Sequence, residues 1–291
     1  MTSGNKIIAF QGAYGAYSDL ACRGMHPEMK TLPCHTFEDT FATVHEGRAR
    51  LAMIPIDNSV AGRVADIHHL LPNSNLHIIG EYFQRVDHHL LAIPGTRIED
   101  LTHVHSHLHA LPQCRNVIRE LGLEPVVYGD TAAGAKMISD RNDHTQAAIA
   151  SELAGKIYGL ESLRANIEDA EHNTTRFLIM SQETDFPCLD NGDWVTSFVF
   201  KVRNVPAALY KAMGGFATNG VNMTKLESYM VDGNFYAVQF YAEIEGHLDE
   251  KSVQWAMEEL NFFTSWVKII GVFPANIFRQ KQKISLLPAS P

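Results

Sequence analysis

Short apolar segments alternate with helical patterns over roughly the first 180 residues. Buried strands are predicted at 6–10, 50–56, 88–93, 104–105, 126–128 and 147–150, and helices near Ser18 and at 133–139 and 151–158. Pro55 is expected to end the second of these strands. Strands that alternate with helices favour an α/β fold with a largely parallel sheet.

The region after 181–193 has a different order of elements. That segment is polar, contains proline and glycine, and is the predicted domain boundary. Beyond it the pattern predicts a strand at 195–202, with Phe198, Phe200 and Val202 on one face, and then a helix with Pro206 in its first turn. Two strands joined by a turn at 232–234 follow. A helix capped by Asp249 and a strand at 266–273 complete the region. The order βαββαβ is typical of a ferredoxin-like α+β domain.

Composition and charge narrow the classes of function. The 291 residues suffice for two domains of roughly 150 residues. Lys and Arg number 24 against 33 Asp and Glu, a net charge of −9, which disfavours nucleic acid as a partner. No apolar run approaches the roughly 20 residues that span a bilayer. The four cysteines form no CxxC pair. We therefore expect a reduced, cytoplasmic protein that binds neither nucleic acid nor a membrane.

Four alternating histidines, His103, His105, His107 and His109, are the most conspicuous local pattern. On one strand they would share a face, as a metal site requires. However, a strand that ends at Ser106 and a helix that begins there would break the common face, and no cluster of Cys or Glu completes a ligand set. No metal or other cofactor is predicted.

Small polar side chains follow predicted strands at 55–59, 106–114 and 130–135, and a fourth such segment, 173–177, precedes the apolar residues 178–180. Ligand groups collect at strand ends in α/β sheets, and free N–H groups at a helix start attract anions. Each segment also has an ordinary structural interpretation. The first could be a capped turn, Ser106 a helix cap, Gln113 a surface amide and the small residues at 130–135 a packing feature. Arg176 could clamp a carboxylate, although a structural ion pair is favoured for it alone.

Taken together and in this order, the segments resemble the prephenate dehydratase family. The likeness is carried by PIDNSVAG from Pro55, SHLHALPQC from Ser106, DTAAGA from Asp130 and NTTRF from Asn173, together with the glycine turn at 10–18. The second region resembles an ACT domain at 204–209 and 225–228. The likeness extends over residues 6 to 275.

The resemblance implies conversion of prephenate to phenylpyruvate, with loss of carbon dioxide and hydroxide, on the way to phenylalanine. Aromatisation supplies the driving force, so no cofactor is required. It also implies a two-lobed catalytic domain similar to type II periplasmic binding proteins at 1–182, with lobe one at about 1–82 and 165–180 and lobe two at about 83–164. An ACT regulatory domain at 193–275 and a polar tail at 276–291 would follow.

The resemblance also implies residue roles. Thr175 is the expected catalytic donor to the leaving hydroxyl, and Arg176 is expected to hold carboxylate charge. The substrate-binding candidates are Asn58, Ser59, Ser106, Gln113, Thr131, Thr174 and Arg176, of which Ser59 is the weakest.

A phenylalanine pocket is the regulatory expectation. Its candidates are Asn204, Pro206, Ala207, Ala208, Leu209, Glu227 and Ser228. The chain departs from the family pattern at Leu108 and His109, at Asp57 in place of Glu, at Ala207 in place of Gly, and at 229–230 in place of Arg-Pro. Pairing of ACT sheets predicts a homodimer or a dimer of dimers. Two alternatives to the main function are arogenate dehydration and an amino-acid-sensing binding protein without turnover.

Overall fold

The computed structural model describes residues 6–64, 67–183, 188–203, 205–230 and 239–286. The chain divides into two compact units. Unit 1 comprises Met1–Val64 and Tyr82–Leu178, and unit 2 comprises Ala65–Glu81 and Ile179–Pro291. The sequence assigned 65–81 to lobe one, whereas it belongs here with the C-terminal region. The domain boundaries and the two-lobed architecture stay predictions.

The strands of the described residues follow in chain order. They are β1 Ile7–Gln11, β2 Lys30–Cys34, β3 Leu51–Asn58, β4 Gly62–Arg63, β5 His77–Arg85, β6 His89–Ala92, β7 His103–His107, β8 Glu124–Tyr128, β9 Gln146–Ala150, β10 Glu161–Arg164, β11 Thr174–Ser181, β12 Trp194–Val202, β13 Met223–Tyr229, β14 Gln239–Glu245 and β15 Thr264–Pro274. The chain passes between the two units within β5 and β11.

The helices of the described residues connect these strands. They are α1 Tyr17–Met25, α2 Phe37–His45, α3 Ile67–Leu70, α4 Arg115–Glu120, α5 Thr131–Arg141, α6 Glu152–Tyr158, α7 Ala208–Thr218, α8 Lys251–Phe263 and α9 Ile277–Leu286. None of the described helices is long and apolar enough to cross a membrane.

Unit 1 is an α/β structure with two mixed sheets. In one sheet β1 lies between β2 and β3 and is parallel to both, while β4 is antiparallel to β3. The other sheet has the order β10-β6-β9-β7-β8, in which β7 is parallel to both neighbours and β6 antiparallel to both of its own. The sheets are therefore less uniformly parallel than the sequence indicated.

Both faces of the sheet that contains β9 are covered by helices, which explains the apolar run in that strand. Ala147 and Ile149 pack towards α4, whereas Ala148 and Ala150 pack towards α5 and α6. A strand that is buried on both faces has no polar side to display. The predicted strand at 147–150 is thus confirmed, with Gln146 added at its start.

Unit 2 contains the predicted βαββαβ order, formed by β12, α7, β13, β14, α8 and β15. The strands are antiparallel in the order β13-β14-β12-β15, the ferredoxin-like arrangement. Phe198, Phe200 and Val202 lie on one face of β12, as predicted, and join the core that α7 and α8 cover. The predicted turn at 232–234 lies outside the described residues.

Several predicted element boundaries are wrong, because contacts formed in the fold set the boundaries at other residues. β3 continues through Pro55 to Asn58, since its last residues pair with β4. Helix α7 begins after Pro206, and α8 begins after Glu250 rather than at an Asp249 cap. The strands β2, β5 and β10 have no counterpart among the predicted elements.

The predicted polar tail contains a helix, α9, which a buried ion pair holds. Arg279 bonds both carboxylate oxygens of Glu81, at 2.7 and 2.9 Å, and one oxygen of Glu243 at 3.0 Å. The Glu81 and Glu243 side chains are almost fully buried. One guanidinium therefore bonds two buried carboxylates and anchors α9 to unit 2.

We predict that Arg279→Met destabilises the protein by about 3–5 kcal/mol, because it removes a cation that bonds two buried carboxylates. Urea unfolding measures the loss. Arg97→Met is the matched control, since Arg97 binds both oxygens of Asp100 at 3.0 Å while its side chain is 72% exposed. Its effect should be much smaller. Equal effects of the two substitutions would contradict the structural role of Arg279.

Candidate active site

Ser59 joins the end of β3 to the segment that opens β11. Its backbone N–H donates to the carbonyl of Thr174 at 2.9 Å, and its hydroxyl donates to the carbonyl of His172 at 2.9 Å. The same hydroxyl accepts from the backbone N–H of Thr174 at 2.9 Å. The motifs that begin at Pro55 and Asn173, more than 100 residues apart in sequence, thus meet in unit 1.

Asn58, the last residue of β3, is fully hydrogen-bonded within the protein. Its Oδ1 accepts from the backbone N–H groups of Val60 and Ala61, at 2.9 and 2.7 Å. Its Nδ2 donates to Asn173 Oδ1 at 2.8 Å and to Thr175 Oγ1 at 3.0 Å. An amide has two acceptor positions and two donor protons, so all four are occupied.

Asn173 and Gln113 extend this arrangement. Asn173 is 1% exposed, and its Nδ2 donates to Gln113 Oε1 at 2.7 Å. The same Oε1 lies 3.2 Å from Nε2 of His88, which is also 1% exposed. The polar network therefore runs from Thr175 through three amides to a buried histidine.

Two partly buried side chains of this network, Thr175 and Gln113, have donor protons without a protein acceptor among the described residues. Within the described part of the chain, Thr175 accepts from Asn58 but its own hydroxyl proton reaches no protein acceptor. Gln113 accepts twice at Oε1, while its Nε2 donates to no protein atom among the described residues. Both side chains are only partly buried. The open side of the network consequently offers donors, which suit an anionic or leaving oxygen.

Arg176 lies beside Asp57. Its Nη1 is 3.8 Å from the Asp57 carboxylate, and its side chain is 9% exposed. This is the ion pair that the sequence favoured for Arg176 on its own. A role in holding substrate carboxylate charge stays a prediction.

Among the described residues, no side-chain hydrogen bond joins Ser106 or Thr131 to the network. The Ser106 hydroxyl donates to the carbonyl of Ile149 at 2.6 Å and is fully buried, so it joins β7 to β9 and caps no helix. Thr131 is the first residue of α5, where Asp130 caps the helix through a 2.7 Å bond from the Ala133 N–H. The Asp130 carboxylate already occupies one of the N–H groups that the sequence offered to an anion.

The alternating histidines do not converge on one point. β7 ends at His107, one residue later than predicted, and the ring of His105 is buried against Gln146. Among the described residues, no group of three or more His, Cys, Asp and Glu side chains is arranged to hold a metal ion.

The phenylalanine-pocket candidates occupy two parts of unit 2. Ala208 and Leu209 begin α7, and Ala207 precedes them with φ of 60°, a left-handed conformation in which glycine is less strained. Glu227 and Ser228 lie on β13. Asn204 falls outside the described residues. Their convergence in one pocket stays a prediction.

Sequence reasoning missed two residues of the network, Asn173 and His88. Asn173 begins the NTTRF motif, and its position there was an available signal. His88 follows a polar turn and has a second histidine beside it, so only the fold distinguishes the buried ring from its neighbour.

Comparison with known proteins agrees with the motif analysis. Residues 8–185 match the family model "Prephenate dehydratase". A protein of Komagataeibacter europaeus named "Bifunctional N-acyl-homoserine lactone acylase/prephenate dehydratase" is 52% identical over 96% of this chain and 99% of its own length. "Arogenate dehydratase/prephenate dehydratase 1, chloroplastic" of Arabidopsis thaliana is 36% identical over 94% of this chain and 73% of its own.

The fold is similar to that of a solved prephenate dehydratase. The structure from Arthrobacter aurescens, determined in complex with L-Phe, is 26% identical, has a TM-score of 0.84, and aligns with 97% of this chain and 100% of its own. The resemblance read from the motifs is thereby confirmed at the level of the family. The chain belongs to the prephenate dehydratase family.

Proposed function

We propose that the protein converts prephenate to phenylpyruvate. The single observation that supports this most is the pair of open donors, the Thr175 hydroxyl and the Gln113 amide, held by the NTTRF and PIDNS motifs of a prephenate dehydratase family member. The substrate carries two carboxylates and a leaving hydroxyl. Donors without opposing carboxylates suit such a molecule.

The proposed reaction needs one donor at the departing oxygen. The bond from the ring to its carboxylate breaks and releases carbon dioxide, and the electron pair completes the aromatic ring. The opposite ring C–O bond breaks, and the hydroxide takes up a proton to leave as water. Thr175 donates a hydrogen bond to that oxygen, and the bond it accepts from Asn58 polarises its hydroxyl in the required direction.

The remaining candidates then take distinct roles. Asn58 has no hydrogen-bonding position left, so we assign it to orienting Thr175 instead of contacting substrate. Ser59 fixes Thr174 by the bonds described above. Gln113 binds a substrate oxygen through Nε2. Ser106, Thr131 and Arg176 stay candidates for substrate contact.

Arogenate is the nearest alternative substrate, because it undergoes the same elimination and differs only in carrying an amino acid side chain. Relatives in Arabidopsis thaliana are named for both activities. The donors described above serve either substrate, so the two are compared in the same assay.

We predict that Thr175→Val lowers kcat by about a hundredfold or more, because it removes the hydroxyl donor while keeping the shape. Thr175→Ser keeps the hydroxyl and should stay within about tenfold of the wild type. Phenylpyruvate formed from prephenate, and phenylalanine formed from arogenate, are the readouts. Undiminished turnover by the Val variant would contradict the assignment. A wild-type protein inactive on both substrates would favour the binding-protein alternative.

We further propose that L-phenylalanine regulates the protein at an ACT domain in unit 2. The βαββαβ fold and the L-Phe complex of the Arthrobacter aurescens relative support this. In the described sheet β13 is an edge strand, so pairing with a second chain would cover it, in a homodimer or a dimer of dimers. Feedback requires that L-phenylalanine bind the less active arrangement better.

We predict that L-phenylalanine raises the melting temperature of the full chain and lowers its turnover. A ligand that binds only the folded protein stabilises it by about 2.7 kcal/mol when the ligand concentration is a hundredfold above Kd. D-phenylalanine is the control, because a built amino-acid pocket distinguishes the enantiomers. Equal shifts with both enantiomers, or none at millimolar concentration, would contradict an intact pocket.

A second candidate activity is hydrolysis of N-acyl-homoserine lactones. It is favoured by the 52% identity, over nearly the whole chain, to the relative whose name includes that acylase. Water would cleave the amide to a fatty acid and homoserine lactone, and the open donors could polarise the amide carbonyl. We expect fatty-acid release by the wild type and its loss in Thr175→Val. No release by the wild type would contradict this activity, and release that survives Thr175→Val would place it elsewhere.

A further inference from the structure

His88 is a buried histidine that the proposed chemistry does not use. It immediately precedes β6, and its backbone N–H donates to Glu168 Oε2 at 2.9 Å. Its ring packs edge-on against Tyr17, with ring centroids 5.4 Å apart. Nδ1 lies 3.0 Å from the Tyr17 hydroxyl, and Nε2 lies 3.2 Å from Gln113 Oε1. Backbone, ring and both nitrogens are therefore fixed.

The direction of every hydrogen bond in the network follows from one end. Two backbone N–H groups can only donate, so the atom of Asn58 that faces them is its carbonyl oxygen. Its Nδ2 then faces Asn173, which must present Oδ1 there and donate through Nδ2 to Gln113. The Gln113 atom in this contact is therefore Oε1.

The same logic assigns the proton on His88. Because Gln113 Oε1 only accepts, Nε2 of His88 must carry a hydrogen. The opposite tautomer would set two lone pairs against each other. At Nδ1 the assignment is open, because the single proton of the Tyr17 hydroxyl is donated to the Asp87 carbonyl oxygen at 2.6 Å or shared with Nδ1 at 3.0 Å. The contact at Nε2 therefore carries the argument.

Burial favours the neutral ring. It lowers the pKa of His88 against the opposing influence of Gln113, Glu168 and Asp87, while His89 lowers it further. Burial also raises the pKa of Tyr17, so the phenol keeps its proton. A protonated ring would still donate through Nε2, so the contact with Gln113 does not depend on the charge of His88.

We propose that His88 is a positioning residue, which holds Gln113 through its Nε2–H so that the Gln113 amide nitrogen points towards the substrate. His88 and Asn173 together donate to both lone pairs of Gln113 Oε1, which prevents the Gln113 amide from flipping by 180°. The substrate in this inference is taken from the proposed function, whereas the hydrogen on Nε2 follows from the hydrogen bonds alone.

The test is a set of substitutions that keep or remove the donor at one position. Asn at 88 can mimic only Nδ1, whereas Gln can place its amide nitrogen where Nε2 lies. His88→Asn should raise KM for prephenate about tenfold with kcat within about twofold, because a bond that serves ground state and transition state alike is lost. His88→Gln should restore KM to within about twofold. His89→Asn, at the neighbouring histidine bonded to Ser162, is the control and should leave KM unchanged.

A double-mutant cycle separates positioning from general structural damage. In a Gln113→Ala background, His88→Asn should change KM by less than about twofold, because the residue it acts through is gone. An equal effect in both backgrounds, or failure of His88→Gln to restore KM, would overturn the proposal.

The tautomer is measured on the wild-type protein without activity. In ¹⁵N-histidine spectra the His88 ring should show hydrogen on Nε2 near neutral pH, and this result would stand if the His88 variants failed to fold. Hydrogen on Nδ1 alone would overturn the proposal. A wild type without turnover but with the expected tautomer would refute the proposed function and leave the orientation of Gln113 supported.

Discussion

The arrangement of the candidate site depends on one constraint, the anchoring of the Asn58 carbonyl oxygen by two backbone N–H groups. Backbone donors cannot reverse, so they fix the side-chain amide and every amide hydrogen-bonded beyond it. This arrangement leaves the Thr175 hydroxyl and the Gln113 amide nitrogen as donors without a protein acceptor among the described residues. In a buried network the penalty for two facing donors is large, which makes this directionality strict.

In the proposed reaction, a network of this kind takes the place of a strong acid among the motif residues. Thr175 has no useful acidity near neutral pH, so the proposed mechanism relies on orientation and polarisation of its hydroxyl. The burial of Asn173 and His88 excludes water that would otherwise compete for their bonds. The same burial makes single substitutions within the network informative, because each leaves an unpaired group behind.

Much of the fold was predictable because its strands carry strong local signals. The run at 147–150 and the alternating Phe198, Phe200 and Val202 correspond to a doubly covered strand and a singly covered strand. The missed elements lack such signals. β2 contains a proline and β10 is mostly exposed, while α9 is secured by Arg279, whose buried partners Glu81 and Glu243 lie far away in sequence. An ion pair between residues far apart in the chain produces no local pattern in the sequence.

The sequence by itself determined the family and the βαββαβ order, and it singled out Thr175 and Gln113 as candidates, because motifs and periodicity are local properties of the chain. Only the tertiary structure decided which way those side chains act. It removed Asn58 from the open face by occupying all its hydrogen-bonding positions, and it added Asn173 and His88. The physical reason is that the bonds beyond Asn58 join partners more than 20 residues apart, and partners that distant are brought together by folding alone.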